Sequence, residues 1–327
     1  MTAWRSAVVA LVSAVTTLPG APALADQPTP SNRLFTIADD DIFESSGLVD
    51  RGRTVFTVND SGDDAVVYAI DSRTGKTTAR IKYANSVEDV EALAPGRGDL
   101  LWAGDIGDNR QRRDDIAVYR VRPGDRDAPR FTLRYPDGSH DAETLLVHPR
   151  TGRIFVVSKS VFGGTVYAAP RPLSEAATNR LRVFAHVGGL VTDGSFFPDG
   201  RHVVLRTYGT ASVSTFPGFA LTGTVRLPAQ PQGEGISVST SGRVLVSSEG
   251  LHTDVLRVTL PRSFTASARV SNASGPPPST EAPAHRPVRA EPNPRGPANY
   301  AVIALAAAAI AYGGWLTLRN SRIQSRR

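Results

Sequence analysis

Cysteine is absent from the 327 residues. That excludes disulfide bonds, a cysteine nucleophile and any cysteine-ligated zinc, so an exported domain of this sequence has to be stable by packing alone. Lysine is nearly absent too, with only Lys76, Lys82 and Lys159. No Gly-x-Ser-x-Gly elbow presents a serine nucleophile, and Ser45, Ser46 and Ser195 have no base assigned by the pattern. No loop has the ligand spacing of an EF-hand. The formal net charge is +6, yet nine Arg against two Glu fall between 262 and 327; with these and Arg5 set aside, residues 26–261 carry −2. The basicity belongs to the C-terminal part and forms no concentrated binding face, which argues against nucleic acid as a partner.

The two ends of the chain read as targeting segments. Residues 1–25 combine Arg5, the apolar run "AVVALVSAV" and "APALA" before Asp26, the layout of a signal peptide with a small-residue cleavage site. From Tyr300 to Leu318, nineteen residues pass without a charge, and "RNSRIQSRR" follows. This predicts one transmembrane helix over 299–318 and a basic cytoplasmic tail over 319–327. The proline-dense stretch 262–298 reads as a semi-extended spacer. The sequence therefore predicts an exported domain, 33–261, anchored in the cytoplasmic membrane by a C-terminal helix.

That domain repeats itself. "ESSGLV", "EALAPG", "ETLLVHP", "DGSFFP" and "EGISVS" each open with an acid, at intervals of 47, 52, 50 and 41 residues. A glycine turn follows each opening ("DRGR", "GRGD", "RTGR", "PDGR", "TSGR"), then a β-branched run such as "IFVVS" or "HVVLR". Third strands such as "VVYAID" and fourth strands such as "RFTLRY" complete the units, and the fifth unit lacks its fourth strand. The pattern predicts an all-β propeller of five four-stranded blades, closed by the N-terminal strand "RLFTIAD". The alternative is six blades, the sixth formed by irregular stretches such as "RPLSEAATN".

In a blade, the start of strand one and the end of strand two share a rim. The repeat accordingly pairs Glu44 with Asp60, Glu91 with Asp105, Glu143 with Lys159, Asp193 with Arg206, and Glu234 with Glu249. "NDSGDD" and "GDIGDN" are then equivalent rim loops. Clustered carboxylates raise one another's pKa unless a cation or hydrogen bonds compensate, and Ca²⁺ takes six to eight such oxygens. One reading is an axial Ca²⁺ held by Glu44, Asp60, Glu91, Asp105, Asp108, Glu143, Asp193 and Glu234, with Asp63 and Asn109 as further donors. The other is that acids before glycines only make local turn hydrogen bonds. Lys159, Arg206 and Arg110 are candidates for an anionic ligand, although Lys159 and Arg206 could equally neutralise Glu143 and Asp193 within their own blades. His140 and Glu249 are candidate acid–base groups; His252 shares the face, whereas His148 and His202 fall at the opposite rim.

The acid openings with their Gly-Arg turns, and "GDIGDNRQRR" followed by "IAVYRV", resemble exported bacterial propellers of the phytase-like (esterase-like) group over Glu44 to Leu260. The resemblance implies Ca²⁺ on the acidic face and phosphate-ester hydrolysis there, involving Glu44, Asp60, Glu91, Asp105, Glu143, Glu234 and Glu249. The chain departs from such a face in carrying few basic residues near the axis. Two function classes follow. One is a binding module for an extracellular small molecule, cell-wall polymer or protein, stabilised by axial Ca²⁺; the other is a Ca²⁺-dependent hydrolase of phosphate esters or related anions.

Overall fold

The computed structural model describes residues 28–60, 64–124 and 127–265. The expected signal peptide, transmembrane helix and basic tail lie outside them, as do Asp63 and all but the first residues of the spacer. Among the described residues no helix is long and apolar enough to cross a membrane.

Five sheets form the blades. Blade one runs Ser45–Arg51, Thr54–Asn59, Val66–Asp71 and Thr77–Lys82, and blade two Val90–Pro95, Leu101–Asp105, Ile116–Val121 and Arg130–Arg134. Blade three is Ala142–Val147, Ile154–Ser158, Gly164–Ala168 and Arg182–Val187; blade four is Asp193–Phe196, His202–Arg206, Thr210–Thr215 and Leu221–Arg226. Blade five takes Gly233–Val238, Val244–Ser248 and Asp254–Val258 from the end of the domain and Ser31–Thr36 from its start, paired antiparallel with Asp254–Val258. The five-bladed architecture and its closure by the N-terminal strand are as the repeat predicts.

Local chemistry explains the elements. The turn between the first two strands of every blade holds a glycine at positive φ (Gly52, Gly98, Gly152, Gly200, Gly242), a conformation that β-carbons resist. First strands are buried on both faces, as Ala142–Val147 is, whereas outer strands such as Thr77–Lys82 are mostly exposed. First strands also converge closely: a β-carbon at Gly47 would lie 2.1 Å from the Leu93 amide nitrogen.

The core is divided into five apolar clusters, one in each seam between neighbouring blades. In the closing seam Phe35 and Ile37 of the N-terminal segment pack with Leu48, Tyr68 and Val255. At the rim opposite the acids, the same seam is clasped by a bidentate ion pair, Arg243 to Asp50, at 2.6 and 2.7 Å.

Two boundaries differ from expectation, and the six-blade alternative falls away. The domain begins earlier, with Thr29 buried and its amide donating to Arg226 O at 2.8 Å. It also extends past 261, because a 3-10 turn, Arg262–Phe264, seats Phe264 over Gly223. No sixth blade forms: "RPLSEAATN" makes bends and ends in a two-residue strand, Asn179–Arg180, that pairs parallel with Arg130–Arg134. The segment is too short for a blade and extends blade two instead.

Because the Asp50 side chain is fully buried against Arg243, Asp50→Ala leaves a cation without its partner and a turn amide, Gly52 N, without its acceptor. A loss of about 3 kcal/mol is expected in urea unfolding, and an unchanged midpoint would show that the apolar seams close the ring unaided.

Candidate functional site

At the start of the first strand, blades one, two, three and five break register with a β-bulge. The bulged residues are Glu91, Glu143 and, with Gly235, Glu234, and in blade one Ser46 and Gly47. A bulge re-aims a side chain, and here it turns three carboxylates toward a common space. Blade four has no bulge: Asp193 lies in regular register opposite Arg206. Blade one brings Glu44 and Asp60 together through a backbone bond, Asp60 N to Glu44 O at 2.9 Å.

The result is an axial carboxylate well. Donor oxygens of Asp60, Asp89 and Glu91 all lie within 4.8 Å of one another. Glu91 is 3% exposed, and among the described residues no hydrogen-bond donor reaches its carboxylate. Burial first, then the charges of Asp60, Glu143, Asp89 and Asp141, push its pKa to about 11. Burial and the same kind of neighbour raise Asp89 to about 6 and Glu249, beside Glu234, Asp60 and Glu44, to about 7. Glu143 is raised to about 8 by burial, against the opposing pull of Lys159. Its Oε2 and Asp89 Oδ1 are buried with no partner among the described residues.

Other expected ligands have occupations of their own. Asp105 forms an ion pair with Arg113 Nη1 at 2.9 Å and accepts the amides of Glu88 and Asp89. Asp108 accepts the amides of Arg112 and Arg113 at 2.9 and 2.8 Å, and its own amide donates to Asp141 Oδ1 at 2.9 Å. "GDIGDN" is thus a self-fastened loop, as the turn reading of its acids anticipates. Its glycine has a separate duty: a β-carbon at Gly107 would sit 2.5 Å from Asp89 Oδ2 and 2.7 Å from Glu91 Cγ. Asp193 is buried and takes the amides of Gly194 and Ile236, each at 2.7 Å; burial outweighs these bonds and holds its pKa well above the carboxylate range.

The two axial cations are of different kinds. Lys159 forms an ion pair with Glu143 and lies over the Tyr208 ring. Arg206 is fully buried, donating to Gly235 O, Ser247 O and Gln230 Oε1. It builds the wall between blades four and five and has no guanidinium face turned to a ligand. Arg110, by contrast, is exposed and lines a cleft of 650 Å³ with Arg112, Glu88, Asp89 and Asn109.

Neither rim histidine joins the well. His140 Nε2 lies 2.9 Å from the Tyr167 hydroxyl and 3.0 Å from Asp137 Oδ1, and His252 Nε2 is held 2.8 Å from Asp40 Oδ1. His148, which accepts the Arg150 and Thr151 amides, and His202, paired with Asp199, are structural. The well does contain two acids that the repeat reading passed over, Asp89 and Asp141. Their signal was in the sequence as "DVE" and "DAE", an acid two residues before the opening acid in blades two and three.

No protein-family model matches the chain, and no curated protein does. Among the solved structures that the chain is similar to is a crystal structure of glucose dehydrogenase, with a TM-score of 0.44 and 9% identity, covering 71% of this chain and 100% of that one. The likeness to phytase-like propellers therefore rests on short motifs.

The raised carboxyls give stability a definite pH dependence. A group whose folded pKa exceeds its unfolded value contributes fully below the unfolded value, and that contribution is lost as pH rises toward the folded one. Without divalent cations, the unfolding midpoint should fall between about pH 5 and pH 8, the window set by Asp89, Glu249 and Glu143. Glu91→Gln, which cannot ionise, should raise the midpoint at pH 8 and flatten the slope. A slope equal to that of the wild type would mean that Glu91 is not part of the coupled cluster.

Proposed function

We propose that the chain is a binding propeller, tethered outside the cytoplasmic membrane, whose axial well takes a divalent cation of the Ca²⁺ type. The observation that carries this reading is the approach of three carboxylates, Asp60, Asp89 and the buried Glu91, whose oxygens lie within 4.8 Å of one another. The donor set fits a hard cation: all carboxylate oxygen, no nitrogen or sulfur. Glu143 Oε2 and Asp89 Oδ1 supply further buried oxygens that lack partners among the described residues. A bound cation would neutralise the cluster and polarise an oxygen of whatever ligand approached it.

Binding at this rim is supported by its surface. Of seven large apolar residues exposed among the described residues, Phe43, Val161, Phe162, Tyr208 and Leu251 fall on rim loops, with Phe162 at 86%. Exposed apolar groups gathered around a polar centre are characteristic of a contact face. The hydrolase reading is favoured by one observation, the Glu249 carboxyl at about 7, a suitable general base near neutrality. Turnover of phosphate esters with Ca²⁺, abolished in Glu249→Gln, would move the protein to that class.

Calcium at about a hundred times Kd should add about 2.7 kcal/mol, raising the midpoint by roughly 5 to 10 °C over an EDTA-treated sample. Asp60→Asn and Glu91→Gln should abolish the shift. An equal shift in either variant, or none in the wild type, removes the cation from the well. In the native host the protein should fractionate with membranes and begin at Asp26 by N-terminal sequencing; recovery in the cytosol with residue 1 retained would refute the tethered arrangement.

A further inference from the structure

A second charged site lies on the flank of the ring, where blade two meets blade three. The segment after the third strand of blade three leaves its own sheet and crosses to blade two, adding Asn179–Arg180 beside Arg130–Arg134. The crossing is built firmly. Asn179 is 4% exposed, donates through Nδ2 to Thr132 O and Ser174 O at 3.0 and 2.8 Å, and accepts the Ser174 amide at 2.8 Å. Among the described residues no other blade has a fifth strand.

The crossing encloses a cleft of 830 Å³ whose walls carry Arg153, Arg171, Arg180 and Arg182 and no acid. Among the described residues none of the four forms an ion pair, whereas Arg120 and Arg134 of the neighbouring blade two are paired with Glu175 and Asp115. Arg153 is held in place before any ligand arrives. Its guanidinium lies over the rings of Phe155 and Phe184, 5.4 and 5.6 Å from their centroids, and its Nε donates to Ala169 O. A fixed guanidinium loses little freedom on binding an anion, and its planar fork suits two oxygens of one group.

We infer that this cleft binds a ligand carrying two or more closely spaced anionic groups, such as phosphates or carboxylates along a short chain. Four uncompensated cations around one recess repel one another, and a multivalent anion relieves the repulsion while satisfying their donors. The site is separate from the axial well, whose charge is of the opposite sign, and does not depend on a cation there.

The test is calorimetric titration of the full-length chain with tripolyphosphate in low salt, divalent cations having been removed by dialysis so that the axial well takes no part. Saturable one-to-one binding is expected, weakened about tenfold or more in the double variant Arg180→Ala/Arg182→Ala. Both side chains are exposed, so this variant should keep the wild-type unfolding midpoint. The control Arg73→Ala/Arg226→Ala removes equal charge from exposed positions on blades one and four and should bind as the wild type does. A parallel titration with citrate separates the two chemistries: tighter tripolyphosphate assigns phosphate, tighter citrate assigns carboxylate, and loss of either in the cleft variant supports the site. Absence of saturable binding to both probes, or equal weakening in the control, overturns it.

Discussion

Antiparallel pairing of Ser31–Thr36 with Asp254–Val258 joins the two ends of the domain, and the rest of the architecture depends on it. An open array of five blades would expose two sheet edges and leave one seam unpacked. With the ring closed, every blade has two neighbours, every seam has an apolar cluster, and all first strands face one axis. Without cysteine, nothing covalent enforces this closure. It depends on Phe35 and Ile37 in the last seam and on Arg243 gripping Asp50 beneath it.

Closure has an electrostatic consequence. The first strands open with acids, so bringing them together concentrates negative charge where water is scarce. The fold resolves this in two ways. Asp105, Asp108 and Asp193 are given amides or an arginine and become structural. Asp60, Asp89 and Glu91 are kept close to one another, and Glu143, which adds to the charge at Glu91, is itself paired with Lys159. The raised pKa values of Asp89, Glu91 and Glu143 measure the strain of that arrangement, which is expected where stability is sacrificed for a function.

The fold was legible because the repeat encodes it five times: acid, apolar strand, glycine turn, β-branched strand. Antiparallel pairing then placed partners such as Glu143 and Lys159 together without any knowledge of loops. What could not be read was which carboxylates the backbone would occupy. Asp105 and Glu91 look alike in sequence, yet one meets two amides and Arg113 while the other, shifted by a bulge, lies against Asp60 and Asp89. A template of one opening acid per blade also hid Asp89 and Asp141, two residues upstream of theirs. Arg206 was legible as a rim position but not as a wall, because its acceptors are carbonyls of blade five.

The flank cleft was illegible for a different reason. Arg153 immediately precedes the second strand of blade three, while Arg180 and Arg182 lie beyond an irregular segment that, in sequence, could as easily have been the start of another blade. Only the crossing to blade two brings these groups to one recess. The −2 balance of residues 26–261 therefore conceals a separation of charge: an acidic centre and a basic flank on the same rigid ring. Because the blades share one closed frame, ligands of opposite sign can be held on it independently. Each would relieve a local repulsion that the fold maintains in its absence, which ties both sites to the stability of the ring that carries them.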